Sequence, residues 1–288
     1  MAVLVDKNTK IIVQGLTGTQ ASFHTPRAIK YGTNIVAGVV PNKKDKTHLG
    51  IPLFSTVKEA KEKTGATASV VFVPAKAAKS AILEAIHAEL ELVVVITSGI
   101  PVNDMMEIRH ELAHSKTLLI GPNTPGIITP QVAYMGTFPD NIHKPGNIGI
   151  ISRSSTLTYE VVLEINYAGF GESTVVGLGD DFIIGTGFID IIKAFYEDEQ
   201  TKAIVVIGGY GGNYEIEMAR IYKTMPKKKK VIVLMVDNQT YINTNFGIAS
   251  DIICRGITTI EEKKQLLEEA GMIVVDNLLS LTEELEKI

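Results

Sequence analysis

The sequence has few of the residues that carry redox chemistry and bind metals. Its 288 residues include one cysteine, Cys254, six histidines and no tryptophan. A single cysteine cannot form an internal disulfide, and it excludes thiolate metal clusters and Cys-x-x-Cys redox chemistry. We therefore expect a protein of a reducing compartment that holds no metal.

The sequence also lacks a marked charge of one sign and a long apolar segment. Lys and Arg number 28 against 32 Asp and Glu, which gives a formal net charge of −4. This balance favours neither nucleic acid nor an anionic membrane as a partner. No segment has the roughly 18 continuous apolar residues of a membrane span, and the first residues do not resemble a signal peptide. We expect a cytoplasmic protein, or a mature organellar one.

Short apolar runs alternate with helical stretches along the whole chain. The first half contains five such runs, at 10–13, 34–40, 68–73, 92–97 and 118–120. The second half contains five more, at 148–151, 174–178, 203–207, 231–236 and 272–275. Continuous rather than alternating hydrophobicity is typical of parallel strands that are buried on both faces. The pattern therefore predicts an α/β fold.

The length of 288 residues is near twice that of a common domain of ~150 residues. Prolines cluster in the middle of the chain, where 121–146 holds five of the eleven, and proline interrupts both helix and sheet. We predict two doubly wound domains, a Rossmann-type domain at 1–122 and a flavodoxin-like domain at 147–288. A Pro-rich linker is predicted between them at 123–146.

A glycine-rich turn follows the first predicted strand. Residues 15–21 read GLTGTQA and lead into a helix, a G-x-x-G-x-x-A relative of the dinucleotide-binding fingerprint. Glycines permit a tight turn, and the free N–H groups of a helix N-terminus favour a phosphate. The turn predicts a phosphate ligand, although glycines also occur in such turns for packing alone.

The segment after the second strand narrows the choice of ligand. A nicotinamide dinucleotide site has an acidic residue ~20 positions beyond the turn, but this chain has Lys43 and Lys44 there. A cation suits a ribose that carries a phosphate, as in NADP or coenzyme A (CoA). A solvated lysine pair on a loop is the alternative.

Six motifs together resemble the α subunit of the succinyl-CoA synthetase family. They are KNTK at 7–10, QGLTGTQ at 14–20, THLG at 47–50, GPNTPG at 121–126, HKPG at 143–146 and SRSSTLTYE at 152–160. The resemblance implies a subunit of an NDP-forming CoA ligase of the tricarboxylic acid cycle. It implies that this chain binds CoA and a small carboxylate. A separate ATP-grasp β subunit would bind the Mg-nucleotide, in a heterodimer or a heterotetramer.

The resemblance also assigns roles to individual residues. The residues implied to hold the CoA phosphates are Thr17, Gly18, Thr19 and Gln20, with Lys43 at the phosphorylated end of the molecule. Those implied to border CoA are Ile96, Thr97 and Ser98, where Ser98 replaces an expected acidic residue. Those implied to lie near the acyl substrate are Ser155, Thr156 and Tyr159.

The catalytic histidine of the family is missing from this sequence. The resemblance implies a phosphohistidine that relays the phosphoryl group, but the matching position is Ile248, whose alkyl side chain cannot be phosphorylated. The glutamate expected to orient that histidine is replaced by Gly209. The histidines are at 24, 48, 87, 110, 114 and 143, so none lies in the last half of the chain. We therefore assign no catalytic residue and predict that the relay is absent.

Two functions remain open at the level of sequence. The first is the CoA-binding α-type subunit of an NDP-forming acyl-CoA ligase, most similar to succinate–CoA ligase, that works without the relay. The second is a non-ligase paralogue, either a regulatory or structural CoA-binding subunit or a transferase, for example of carbamoyl groups. Fold alone cannot decide between them, because function depends on the site.

Overall fold

A computed structural model describes residues 3–42, 45–209, 213–226, 228–235 and 260–288 of the chain. Contacts between Cα atoms divide the chain into two units. The N-terminal unit comprises Ala2–Asp140 and Gly177–Thr186, and the C-terminal unit comprises Asn141–Val176 and Gly187–Ile288. Among the described residues, none of the helices combines the length and apolarity that a bilayer crossing requires.

The N-terminal unit is built from nine strands and four helices in its described residues. The strands are β1 (Ile11–Gln14), β2 (Ile35–Val39), β3 (Thr47–His48), β4 (Ile51–Phe54), β5 (Ala68–Val71), β6 (Leu92–Val95), β7 (Leu118–Ile120), β8 (Gly126–Thr129) and β9 (Ala133–Gly136). The helices are α1 (Thr19–Tyr31), α2 (Val57–Thr64), α3 (Ala75–His87) and α4 (Val102–Leu112).

The main sheet of this unit has the strand order β3-β4-β2-β1-β5-β6-β7. All neighbouring pairs from β4 to β7 are parallel, while β3 forms an antiparallel hairpin with β4. Without β3, this is the 3-2-1-4-5-6 order of the Rossmann fold. The order reverses between β1 and β5, and ligands of such sheets bind at the carboxyl ends of the strands at that point.

The C-terminal unit is a second doubly wound domain. Its strands are β10 (Pro145–Ser152), β11 (Glu172–Gly177), β12 (Ala203–Ile207), β13 (Lys230–Leu234) and β14 (Ile273–Val275). Its described helices are α5 (Ser155–Tyr167), α6 (Phe188–Glu197), α7 (Tyr214–Tyr222), α8 (Ile260–Glu269) and α9 (Leu278–Leu285). These strands lie in the order β11-β10-β12-β13-β14, which is the 2-1-3-4-5 order of flavodoxin-like sheets. The predicted fold class is confirmed.

The segment 123–146 differs from the predicted linker. It contains the antiparallel hairpin of β8 and β9, with Gly126 opposite Gly136. A Cβ on Gly126 would lie 1.9 Å from the Met135 carbonyl oxygen, so a larger residue would prevent the pairing. The prolines lie outside both strands, because a proline inside would remove a donor from the ladder. The chain passes between units within this segment, and the domain ends at 122 and 147 stay a prediction.

Candidate functional site

The glycine turn lies at the carboxyl edge of the N-terminal sheet, where the strand order reverses. Gly15 adopts φ +81°, a left-handed conformation that disfavours side chains. Its N–H donates to the Val39 carbonyl at 2.9 Å, and a Cβ on it would lie 3.0 Å from Val73 Cγ1. The turn is therefore held between the ends of β2 and β5.

Helix α1 begins directly after this turn with its N-terminus open. Gly18 is the N-cap, so no side chain caps the helix, and no acidic residue lies in its first turn. Thr17, Gly18, Thr19 and Gln20 are all exposed. Because the first N–H groups of a helix lack partners within it and carry partial positive charge, this end can hold an anion.

The segment after β6 reaches the same edge. Ile96 N–H donates to the Val71 carbonyl at 3.1 Å, and Thr97 Oγ1 donates to the Val73 carbonyl at 2.6 Å. Ser98 follows and is exposed. Val73 therefore lies between this segment and Gly15 and is close to both. Residues 96–98, which the sequence predicts to border CoA, are thus near the glycine turn.

The loop after β2 is anchored to β4 at both described ends. Val40 N–H donates to the Phe54 carbonyl at 3.0 Å, and Leu53 N–H donates to the Lys46 carbonyl at 2.9 Å. Lys43, the residue predicted at the phosphorylated end of CoA, lies outside the described residues. Its role stays a prediction.

Two rings pack beside the turn where β5 ends. The His24 imidazole on α1 stacks on Phe72 with ring centroids 6.1 Å apart and planes at 10°. Burial and then the positive charge of Arg27 lower the pKa of His24 below its usual value. His24 is therefore held towards its neutral form on this face of α1.

In the C-terminal unit, the predicted substrate residues lie on the first turns of α5. The helix is capped by Ser154, whose Oγ accepts from the Leu157 N–H at 3.3 Å. Ser155 and Thr156 are the first two helical residues, and Ser155 shares a face with Tyr159 one turn later. Burial raises the pKa of the Tyr159 phenol above its usual value, so the phenol is a hydrogen-bond donor at neutral pH.

The turn after β12 is bonded to an ion pair, between helices α7 and α8, that the sequence patterns do not indicate. Gly209 N–H donates to Glu215 Oε1 at 3.0 Å, while Glu215 Oε2 lies 3.2 Å from Lys263 Nζ. Nζ also donates to the Gly209 carbonyl at 3.3 Å. The side chains of Glu215 and Lys263 are 0% and 2% exposed. The sequence could signal this ion pair only through the acidic residues in the first turn of α7 and the basic residue in α8. Such charged residues are common on solvated helices, so they do not point to a buried pair.

The α5 N-terminus and this turn lie at one edge of the C-terminal sheet, because β10 and β12 pair in parallel with Ser152 opposite Ile207. Ile248, at the expected histidine position, lies outside the described residues. Within the parts of the chain that the structure describes, no group of three or more His, Cys, Asp or Glu side chains could hold a metal ion.

Comparisons with known proteins cover both units. The CoA binding domain family matches residues 6–99, and the CoA-ligase family matches residues 151–284. The α subunit of ADP-forming succinate–CoA ligase from Staphylococcus aureus strain Mu50 is 47% identical over 94% of this chain and 90% of its own length. The corresponding subunit from Staphylococcus epidermidis is 46% identical over 96% of this chain and 91% of its own length.

Solved structures share the fold at lower identity. ATP citrate lyase from Methanothrix soehngenii, in complex with citrate and coenzyme A, has a TM-score of 0.86 and 23% identity over 99% of this chain and 50% of that chain. Acetyl-coenzyme A synthetase 1 from Ca. Korarchaeum cryptofilum has a TM-score of 0.76 and 18% identity over 96% of this chain and 59% of that chain. The Rossmann strand order, the two domain matches and the relatives agree with one another. The chain belongs to the family of succinate–CoA ligase α subunits.

Proposed function

We propose that this chain is the CoA-binding α-type subunit of an NDP-forming succinate–CoA ligase that works without a phosphohistidine relay. The observation that carries the proposal is the open N-terminus of α1 at the point where the Rossmann sheet reverses. CoA carries a pyrophosphate and a ribose phosphate, and it needs such an anion site.

CoA would lie along the carboxyl edge of the N-terminal sheet. Its pyrophosphate would lie against the exposed turn at 17–20, at the uncapped end of α1, where no acidic residue of the first turn repels it. Lys43 would contact the ribose phosphate, and residues 96–98 would border the CoA beyond Val73.

Succinate would bind in the C-terminal unit near the start of α5. Ser155 and Thr156 offer hydroxyls at a helix N-terminus, where the partial positive charge favours a carboxylate. Tyr159, with its raised pKa, adds a phenol donor one turn later.

The loss of the relay is supported by the sequence and by the turn after β12. No histidine follows His143, and Ile248 stands at the position of the nucleophile. Gly209 has no carboxylate, and both oxygens of nearby Glu215 already have partners. A histidine relay would need a carboxylate to orient its imidazole, and the described turn offers none that is uncommitted.

The Mg-nucleotide would then be bound by a partner, an ATP-grasp β subunit, in a heterodimer or a heterotetramer. Relatives named as α subunits of succinate–CoA ligase support a second subunit. We place this complex in the cytoplasm.

The missing histidine also favours a second candidate, a non-ligase paralogue. Such a protein would bind CoA as a regulatory or structural subunit, or it would run a transferase reaction such as carbamoyl transfer. Neither of these roles needs a phosphorylated enzyme.

Calorimetry with CoA tests the binding site. Thr19→Asp places a carboxylate in the first turn of α1, and we expect it to weaken CoA binding by about tenfold or more through repulsion at the anion site. Leu279→Asp is the matched control, because it adds the same charge to the first turn of α9 at a side chain that is 66% exposed. Equal affinities for the two variants would contradict the assigned site.

Steady-state turnover separates the two candidate functions. The chain is mixed with the β subunit of a succinate–CoA ligase, MgATP, succinate and CoA, and ADP release is measured. ADP release that needs both succinate and CoA supports the ligase. Binding of CoA without such release supports the paralogue.

A further inference from the structure

Phe23, in the second turn of α1, is an aromatic residue exposed close to the glycine turn. It is 52% exposed, although phenylalanine is usually among the buried residues. Thr19, at the open N-terminus of the helix, lies four positions earlier on the same face of α1. Side chains on a helix point back towards its N-terminus. The Phe23 ring is therefore directed towards the proposed anion site.

Two neighbouring side chains hold this ring in place. The Arg27 guanidinium lies over one face of the Phe23 ring, 4.1 Å from its centroid. The His24 imidazole and the Phe23 ring form an edge-to-face pair, with centroids 5.0 Å apart and planes at 87°. Both kinds of contact are attractive. The ring is thus ordered in the absence of a ligand, while much of its surface still faces solvent.

The aromatic surface continues from α1 onto the end of the sheet. His24 also stacks on Phe72, with ring centroids 6.1 Å apart and planes at 10°. Phe72 directly follows β5 and precedes Val73, which lies between the glycine turn and residues 96–98. Phe23, His24 and Phe72 therefore form a row of adjacent rings, here called the aromatic row, beside the path proposed for CoA.

The aromatic row carries little charge of its own. Burial and then the positive charge of Arg27 lower the pKa of His24 below its usual value, so the imidazole is mostly neutral at pH 7. Arg27 is exposed, and its charge stays in water. Covering an uncharged surface removes apolar area from water without the cost of burying a charge. An uncharged, largely apolar group is the ligand chemistry that suits this row.

One part of CoA has this chemistry. Its pantetheine arm leaves the pyrophosphate as an uncharged chain of methyl, methylene, hydroxyl and amide groups that ends in the thiol. We propose that the aromatic row binds the pantetheine arm of CoA, with Phe23 as the principal contact. The inference rests on the proposed function, in which the pyrophosphate lies against the turn at 17–20. An arm that leaves the pyrophosphate past Thr19 meets the Phe23 ring on the same helix face.

Calorimetry on the full chain tests this inference with two ligands, CoA and 3′-phospho-ADP, which has the adenosine and the phosphates of CoA but no pantetheine arm. We expect Phe23→Ala to lower the affinity for CoA by about fivefold to tenfold, because the arm loses one aromatic contact. The affinity for 3′-phospho-ADP should stay unchanged. The ratio of the two affinities thus separates contact with the arm from damage to the phosphate site, which would weaken both ligands.

Two further variants serve as controls. Phe23→Tyr keeps the aromatic ring and should keep the wild-type ratio. Tyr167→Ala removes a ring that is 82% exposed at the last residue of α5, in the other unit, and should also leave the ratio unchanged.

The outcomes distinguish the inference from the proposed function. An unchanged ratio in Phe23→Ala, equal losses for both ligands, or a loss in Phe23→Tyr as large as in Phe23→Ala would overturn the inference alone. An unchanged ratio together with lost co-elution with a succinate–CoA ligase β subunit would instead assign the ring to a subunit contact. Wild-type protein that binds neither ligand would overturn the proposed function as well.

Discussion

At the scale of residues, the Glu215–Lys263 pair occupies the place where the family resemblance implies catalytic chemistry. Glu215 holds the Gly209 N–H with one oxygen and Lys263 with the other, and both side chains are buried. A buried charge without its partner is costly, whereas replacing both charges is often neutral. The pair thus supplies the carboxylate that accepts from Gly209 N–H, in a turn that has no carboxylate of its own.

Removing one charge of this pair should destabilise the C-terminal unit. We expect Lys263→Met to lower the free energy of unfolding by roughly 3–5 kcal/mol, because it leaves Glu215 buried and unpaired. Glu215→Gln with Lys263→Met should recover most of that loss, since the glutamine oxygen can still accept from Gly209 N–H. Urea unfolding, monitored by circular dichroism, measures the free energy of unfolding of both variants. A double variant no more stable than Lys263→Met would contradict this role of the ion pair.

His24 should give the folded protein a pH dependence of known sign. Burial and Arg27 lower its pKa in the folded state below 6.5, so the unfolded chain binds the proton more readily. The contribution of His24 to the free energy of unfolding is complete above pH 6.5. It declines as the pH falls from there towards the pKa of the folded state. His24→Gln should show a smaller loss of unfolding free energy between pH 7.5 and pH 5 than wild type, and an equal loss in both proteins would refute this assignment.

At the scale of elements, the β3–β4 hairpin contains an unfavourable turn residue. Leu49 and Gly50 join the strands with φ of 54° and 75°, the pattern of a type I′ turn, which favours Asn-Gly. Gly50 tolerates this conformation, but Leu49 has a Cβ that opposes it. Its side chain is 46% exposed, so little burial offsets the cost.

Leu49→Asn should therefore stabilise the N-terminal unit by about 0.5–1 kcal/mol, the difference between a strained and a tolerated left-handed residue. Leu49→Ala is the matched control, because it removes the side chain and retains the strained backbone. Stabilities from urea unfolding should rank the asparagine variant above the alanine variant. The reverse order would show that backbone strain at this position is small.

The strands with continuous apolar runs could be predicted from the sequence, and the strands of the two antiparallel hairpins could not. Runs such as 92–97 and 203–207 are continuously apolar because both sheet faces are covered, so β6 and β12 appear where expected. β3 and β4 are short and partly exposed, and Pro52 lies in β4. β8 and β9 lie among prolines that mark loops. The partnership of Glu215 with Lys263 spans 48 residues and has no local signal.

At the scale of the whole molecule, two doubly wound sheets each present a helix N-terminus at a carboxyl edge. In the N-terminal unit that helix is α1, uncapped and without an acidic first turn. In the C-terminal unit it is α5, capped by Ser154. The glycine motif indicated the first helix N-terminus from the sequence, and the parallel pairing of β10 with β12 brings the second to the same sheet edge as Gly209.

The proposed function requires a succinate–CoA ligase α-type subunit that works without a phosphohistidine. The most direct test incubates the chain with a succinate–CoA ligase β subunit and γ-labelled MgATP, and then measures acid-labile phosphate on this chain. The Staphylococcus aureus α subunit is the reference, and co-elution verifies assembly with the β subunit. We expect no label on this chain, while ADP is still released in a succinate- and CoA-dependent manner. Acid-labile label on this chain would contradict it.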